Sequence, residues 1–419
     1  MIRQPATGSR RPPAAMPVAV GLLILLAGGN LPASPTPSSL VEEASRSMQK
    51  ARETGDPTWY VHARAAVDQA LAMDASDYGA LRANAWVLLG LHEFADARAA
   101  AEQALALEPD DFMNWANLTD ALVELGDYPR AVDAADRLAG LHPGVVAYTR
   151  VAGLQALLGN RAEGIATLGQ AVAAAEQGAP EGLAWTLVHL GHEHLALGDA
   201  AAASRAYERA LAVFPDYHLA LAGLARARAA EGRLSEAIAL TARAAERVPT
   251  PAIYGALGDL HEAAGDAAEA ERNWDLVRVM ERLASAQGTT YGREVALFLA
   301  DHDRDPAEAL RLARTEAGRR DDVYTDDVLA WALAKNDRPA EAMRAAHRAL
   351  RLGTEEAAFQ YHAGMIARAL GRPRAAERHL RRALALNPAF DVRQGPTARA
   401  TLDALENPRL ARADGREAR

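Results

Sequence analysis

The 419-residue sequence contains no cysteine. That absence excludes disulfides, thiolate metal sites and cysteine nucleophiles, and it fits oxidising and reducing compartments equally. Aromatic residues make up only 5% of the chain. Of 46 basic residues all but Lys50 and Lys335 are arginines. Beside so much alanine, that bias reads as compositional rather than as a phosphate-binding device. The formal net charge of −9 argues against nucleic acid or anionic membrane surfaces as bulk partners. The chain has no GxSxG, no GxxxxGK[ST], no GxGxxG and no HExxH. It also lacks the run of about 20 apolar residues that a spanning helix requires. Its longest such run is Met16–Ala27, MPVAVGLLILLA.

Half of the residues are apolar, enough for a large core. The mixture of Ala, Leu, Glu and Arg is that of a helical chain, since Ala loses no side-chain entropy in a helix. Arg3, Arg10 and Arg11 precede the apolar run, and small residues follow it. That order is the one of a secretory signal over residues 1–33, with cleavage after Gly29 or after Ala33. The alternative is an uncleaved inner-membrane anchor over residues 16–29. Leu26-Ala27-Gly28 would be a lipoprotein box if a cysteine followed, but Gly29 stands there and lipid attachment is excluded. Residues 34–39, SPTPSS, read as a solvated linker. The expected location is therefore the periplasm of a bacterium, or its inner-membrane face.

The rest of the chain repeats itself. ARAAAEQALALEPDD (97–111), AASRAYERALAVFPDY (202–217) and PRAAERHLRRALALNPAF (373–390) are variants of one phrase. Each follows a second helical pattern that ends in glycine, as in VELGD, LALGD and EAAGD. Framed on those glycines, units start near 44, 78, 112, 145, 184, 218, 251, 290, 323 and 357, spaced by 33, 34 or 39 residues. Gly126 and its equivalents close a helix in the left-handed conformation, Asp127, Asn160, Asp199 and Asp266 stand ready to cap the next, and Pro109, Pro143, Pro215, Pro249 and Pro388 end each unit. Gly191, Ala203, Gly258 and Ala270 allow paired helices to approach closely.

These residues resemble the tetratricopeptide repeat family, whose 34-residue unit is a helix–turn–helix. One unit carries Trp115, Leu118, Tyr128, Ala131 and Pro143, another Leu190, Gly191, Ala203, Tyr207, Ala210 and Pro215, and a third Gly364, Gly371, Ala376, Ala383 and Pro388. The unit near 44 is irregular, and the one near 290 has Arg304 where glycine is usual. The resemblance implies an all-α, right-handed solenoid of about ten repeats: 1–4 over 40–183, 5–7 over 184–289 and 8–10 over 290–390. A capping helix at 391–406 and a disordered tail at 407–419 complete the expected layout.

Repeats and cap leave no stretch for a catalytic domain, so the expectation is a non-enzymatic scaffold without cofactor that binds protein or peptide. The rival is a small-ligand or metal-binding protein using His189 and His192, one helical turn apart in VHLGHEHL. DHDRDPAEAL (301–310) reads as a cap and first turn, and RRDDVYTDD (319–327) as a charged turn between repeats. Arg368, Arg372, Arg374, Arg378, Arg381 and Arg382 give the last repeat a basic end, either a solvated face or a seat for an acidic partner.

The resemblance also implies that the first helix of each unit lines a concave groove. Counting two, five or nine residues into the units places Trp86, Asp120, Trp185, His192, Asp259, Phe298, Tyr324, Trp331, Tyr361 and Met365 there, with Gly153 and Arg226 between them. Such a face, aromatic and acidic, suits an apolar or mildly basic segment. Curvature would instead bury Trp185 and Trp331 against the next repeat, and both readings stand at this level.

Overall fold

The computed structural model describes residues 35–286 and 291–407. The chain divides into Met1–Pro35 and Thr36–Arg419, and the account below concerns the second unit. The leader expected at 1–33 and the tail beyond Asn407 lie outside the described residues.

Among the described residues all regular structure is helical. The helices come in pairs: α1 (Pro37–Thr54) with α2 (Thr58–Met73), α3 (Tyr78–Gly90) with α4 (Phe94–Leu107), and α5 (Phe112–Glu124) with α6 (Tyr128–Leu141). Next are α7 (Val145–Leu157) with α8 (Arg161–Ala175), α9 (Pro180–Ala196) with α10 (Ala200–Val213), and α11 (His218–Ala230) with α12 (Leu234–Arg247). The series continues with α13 (Pro251–Ala263) and α14 (Ala267–Ala286), α15 (Gly292–Asp301) and α16 (Pro306–Ala317), and α17 (Val323–Lys335) and α18 (Pro339–Ala349). It ends with α19 (Ala357–Ala369), α20 (Pro373–Leu386) and the unpaired α21 (Gln394–Glu406). Each helix packs on its partner and on the next pair. The fold is an all-α solenoid of the tetratricopeptide repeat type.

The local chemistry explains the punctuation. Gly126 closes α5 with φ 72°. Asp199 accepts from Ala202 N (2.9 Å) and Asp266 from Glu269 N (3.1 Å), capping α10 and α14. Asp127 and Asn160 occupy the same position without a side-chain cap bond. Three pairs lack the glycine, and His92, Asp303 and Asp337 take the left-handed conformation in its place (φ 60°, 50° and 55°); Asp305 (φ 43°) caps α16 ahead of Pro306. Two expectations need correcting. Residues 37–39 are not linker but the first turn of α1, where Thr36 and Ser39 form a reciprocal capping box, so the first unit opens at Pro37 rather than near 44. RRDDVYTDD is a charged turn between repeats only up to Asp322, with Arg320 and Asp322 buried, and Val323 to Asp327 already belong to α17.

The core is built mainly of alanine, with leucine at intervals. Alanine contributes little buried area, but it lets helix axes close toward the short end of the usual 8–10 Å range. Larger side chains need small ones opposite. Tyr207 is fully buried, and a Cβ at Gly191 would lie 2.5 Å from its ring.

Close packing also brings distant repeats together. Arg320 Nη1 donates to Glu124 Oε2 (3.0 Å), and Asp321 N to Glu124 O (3.1 Å). Val323 N donates to Tyr128 Oη (3.0 Å), Thr354 Oγ1 to Leu157 O (2.6 Å), Arg161 Nη2 to Glu356 Oε1 (2.7 Å), and Asn387 Nδ2 to Leu195 O (2.7 Å). The partners stand 192 to 197 residues apart, a nearly constant register. In each case the turn within an early repeat meets the link between two late ones. The solenoid therefore completes a turn in five to six repeats and lays its second turn on its first.

Candidate functional site

The sequence-expected groove residues fall into two groups. Phe298, Trp331 and Tyr361 are packed, at 7%, 5% and 4% exposure. For Phe298 and Tyr361 an open groove is overturned, and for Trp331 the packed alternative holds. Trp331 Nε1 donates to Asp301 Oδ1 (2.7 Å), its ring stacks on His362 (4.4 Å), and Tyr361 meets Phe390 (5.7 Å). The physical reason is coiling: first helices of successive late repeats converge on the concave side, and their large side chains fill the gap. Met365 is half-buried against the same cluster. Tyr324 remains 40% exposed, with its ring edge-on to Phe359 at 5.2 Å.

In the earlier repeats the same positions stay accessible. Trp86 is half-buried on the first-repeat core. Asp120 accepts from Arg150 Nη2 (2.5 Å), and both are partly exposed. Gly153 is exposed, with nothing within 4 Å of where a Cβ would stand. Trp185 is half-buried between His189 (4.1 Å) and Arg52, whose guanidinium lies 5.6 Å over its ring.

His192, Arg226 and Asp259, equivalent positions of three successive repeats, meet around one cavity of about 640 Å³. Its walls are α9, α11 and α13, and its roof is the segment leading into α21, with Pro388, Phe390, Val392 and Pro396. His192 Nδ1 pairs with Tyr207 Oη at 2.6 Å. Burial, then the charge of Arg226, lowers the His192 pKa to about 3, and burial lowers that of His189 to about 4, so both are neutral near pH 7. Asp259 accepts from Trp274 Nε1 (3.0 Å) and His302 Nε2 (2.6 Å). His189 and His192 have ring centroids 6.1 Å apart. Among the described residues no group of three or more His, Asp or Glu is arranged to hold a metal ion.

The segment before α21 was invisible to sequence reasoning as a part of this face. Arg393 Nε donates to Glu262 Oε2 (2.5 Å), and Gln394 Nε2 to Asp301 Oδ1 (2.6 Å), tying the cap to α13 and α15. Asp301 is a half-buried carboxylate whose pKa desolvation raises to about 6, with Asp391 adding to the effect against His362. His362 is held above its ordinary pKa: burial opposes its charge, but Asp327 at 2.9 Å and Asp301 outweigh it. The cap thus covers the concave side of the later repeats from His192 on α9 onward, while Trp86, Asp120, Gly153 and Trp185 keep part of their surface.

A concave helical surface of this kind is that of a tetratricopeptide-type solenoid. Three segments match tetratricopeptide repeat family models: residues 82–146 and 328–393 by one, and 194–260 by another. No curated protein matches the chain in sequence. Among solved structures, similarity extends to the Cut9–Hcn1 hetero-tetramer of the APC/C, at 17% identity over 87% of this chain, with a TM-score of 0.41. The chain spans 62% of the length of that relative, less than two thirds. It is similar to a human IFIT1 dimer bound to m7Gppp-AAAA, at 16% identity, covering 83% of this chain and 85% of that one, TM-score 0.48. It is also similar to PilW, a widely conserved type IV pilus biogenesis factor, at 19% identity over 49% of this chain and 93% of that one, TM-score 0.42.

Proposed function

We propose that the protein is a non-enzymatic scaffold that holds a partner polypeptide on the concave face of repeats 2 to 4 and the start of α9. Proteins of this repeat type generally bind protein partners. The observation that carries the reading is the division of the concave face: Phe298, Trp331 and Tyr361 are sealed, whereas Trp86, Asp120, Gly153 and Trp185 remain accessible. Half-exposed tryptophans beside an ion pair and an open glycine form a surface that an apolar segment with a basic residue fits. The secretory order of residues 1–33 supports an exported site of action, in the periplasm or on the inner-membrane face. Among the described residues no helix is long and apolar enough to cross a membrane.

Affinity capture from the native organism, followed by mass spectrometry, tests the reading. Trp86→Ala with Trp185→Ala removes the captured partner while far-UV circular dichroism stays unchanged. Undiminished capture by that double variant refutes the assignment of the surface. The intact mass of the mature protein reports whether the leader is removed.

A further inference from the structure

We propose that the cavity between α9, α11, α13 and the cap segment is a binding site for a small amphiphile: an apolar chain that carries one carboxylate. This site is distinct from the polypeptide-binding surface above and does not depend on it. Its volume of about 640 Å³ is that of a small-molecule pocket, and Pro388, Phe390, Val392 and Pro396 line it opposite the three helices. Leu195, Leu219, Ile253, Leu260, Phe390 and Val392 give it an apolar wall.

The polar lining is already committed. Thr241 Oγ1 donates to Ala237 O (2.8 Å), Thr250 Oγ1 accepts from Ile253 N (3.3 Å), and His192 pairs with Tyr207. Asp391 accepts from Arg393 N (2.8 Å) and Gln394 N (2.7 Å), and Asp259 is held by Trp274 and His302. Arg399 Nη2 donates to Pro388 O (3.3 Å). His218 and Arg226 are the exceptions, lining the cavity without a side-chain hydrogen bond among the described residues. Burial lowers the pKa of His218 to about 4 and keeps it neutral near pH 7, so Arg226 is the charged one of the two. Arg226 is exposed, and among the described residues no carboxylate lies within salt-bridge distance of it. An unpaired guanidinium at an apolar cavity selects an anion, and its planar fork fits a carboxylate. The hydrocarbon wall selects the rest of the ligand.

Titration calorimetry of the full chain with decanoate, decanol and an apolar peptide bearing a free C-terminal carboxylate tests the site. Decanoate is expected to bind one to one, and decanol at least about tenfold more weakly, since it forfeits the charge-assisted contact. Arg226→Gln is expected to weaken decanoate by about the same factor and to leave decanol unchanged. Ala256→Trp fills the cavity and is expected to abolish both; if it lowers helical content, Ala222→Phe replaces it. Equal affinity for decanoate and decanol overturns the proposal, as does an unaffected Arg226→Gln variant. No decanoate binding, or binding of the peptide alone, overturns it as well. Partner capture is a separate readout, so failure here leaves the scaffold reading standing.

Discussion

Arg161→Ala is expected to separate the two turns of the solenoid. Arg161 opens α8, is 3% exposed, and bridges Glu193 on α9 to Glu356 at the start of α19, with a further bond from Nη2 to Glu355 O (3.1 Å). Truncating it removes these bonds and leaves two partly buried carboxylates facing a hole. Breaking a buried pair from one side costs about 3–5 kcal/mol. Burial already raises the pKa of Glu193, so it can take up a proton once its partner is gone, which limits the loss. The expected destabilisation is therefore about 3 kcal/mol, the low end of that range. Urea denaturation followed by circular dichroism measures it, and small-angle scattering reports the accompanying rise in radius of gyration. A double-mutant cycle with Glu356→Gln is expected to give a coupling above about 1 kcal/mol between residues 195 positions apart. Destabilisation below about 1 kcal/mol, with unchanged scattering, refutes the idea that these side chains clasp the turns.

Two other outcomes follow from the packing and the buried histidines. Gly258→Ala sets a methyl 2.3 Å from Trp274 Nε1, so it is expected to cost about 1–3 kcal/mol and to shift Trp274 fluorescence; an unperturbed melting curve contradicts the packing argument. Burial lowers the pKa of His92, His189 and His218 to about 4 and that of His192 to about 3. Because these folded-state values are depressed below about 6.5, the stability they contribute is full above that pH and is lost as pH falls toward 4. Each costs on the order of 1–2 kcal/mol by pH 5, and His192→Phe is expected to flatten the acid limb of the stability curve. Asp301, raised to about 6, acts in the opposite sense: it favours the folded state at low pH and loses that contribution as pH rises through 6. Stability that holds level from pH 7 to 4.5 counts against neutral buried histidines.

The groove was only half legible. Counting along a 34-residue unit picks out His192, Arg226 and Asp259, and these line one cavity because equivalent positions in adjacent repeats share a face. The same count places Phe298 and Tyr361 in the groove when they are packed, and leaves Trp331 undecided between the two. Nothing in either unit differs in a way that signals this. What differs is what lies across the concavity, which the repeat itself does not encode.

The sequence by itself determined the helical pairs, the places where glycine, aspartate and proline turn the chain, and the repeat type. Those features depend on residues within one unit or its neighbour, so short-range periodicity reveals them. The tertiary structure alone decided the tight pitch, and with it the contacts of Arg161, Arg320, Thr354 and Asn387 and the seat of the cap segment. Small rotations between adjacent repeats accumulate over five or six units, and only their sum determines which residues 195 positions apart become neighbours. That sum is a property of packing along the whole stack, and no single repeat carries it.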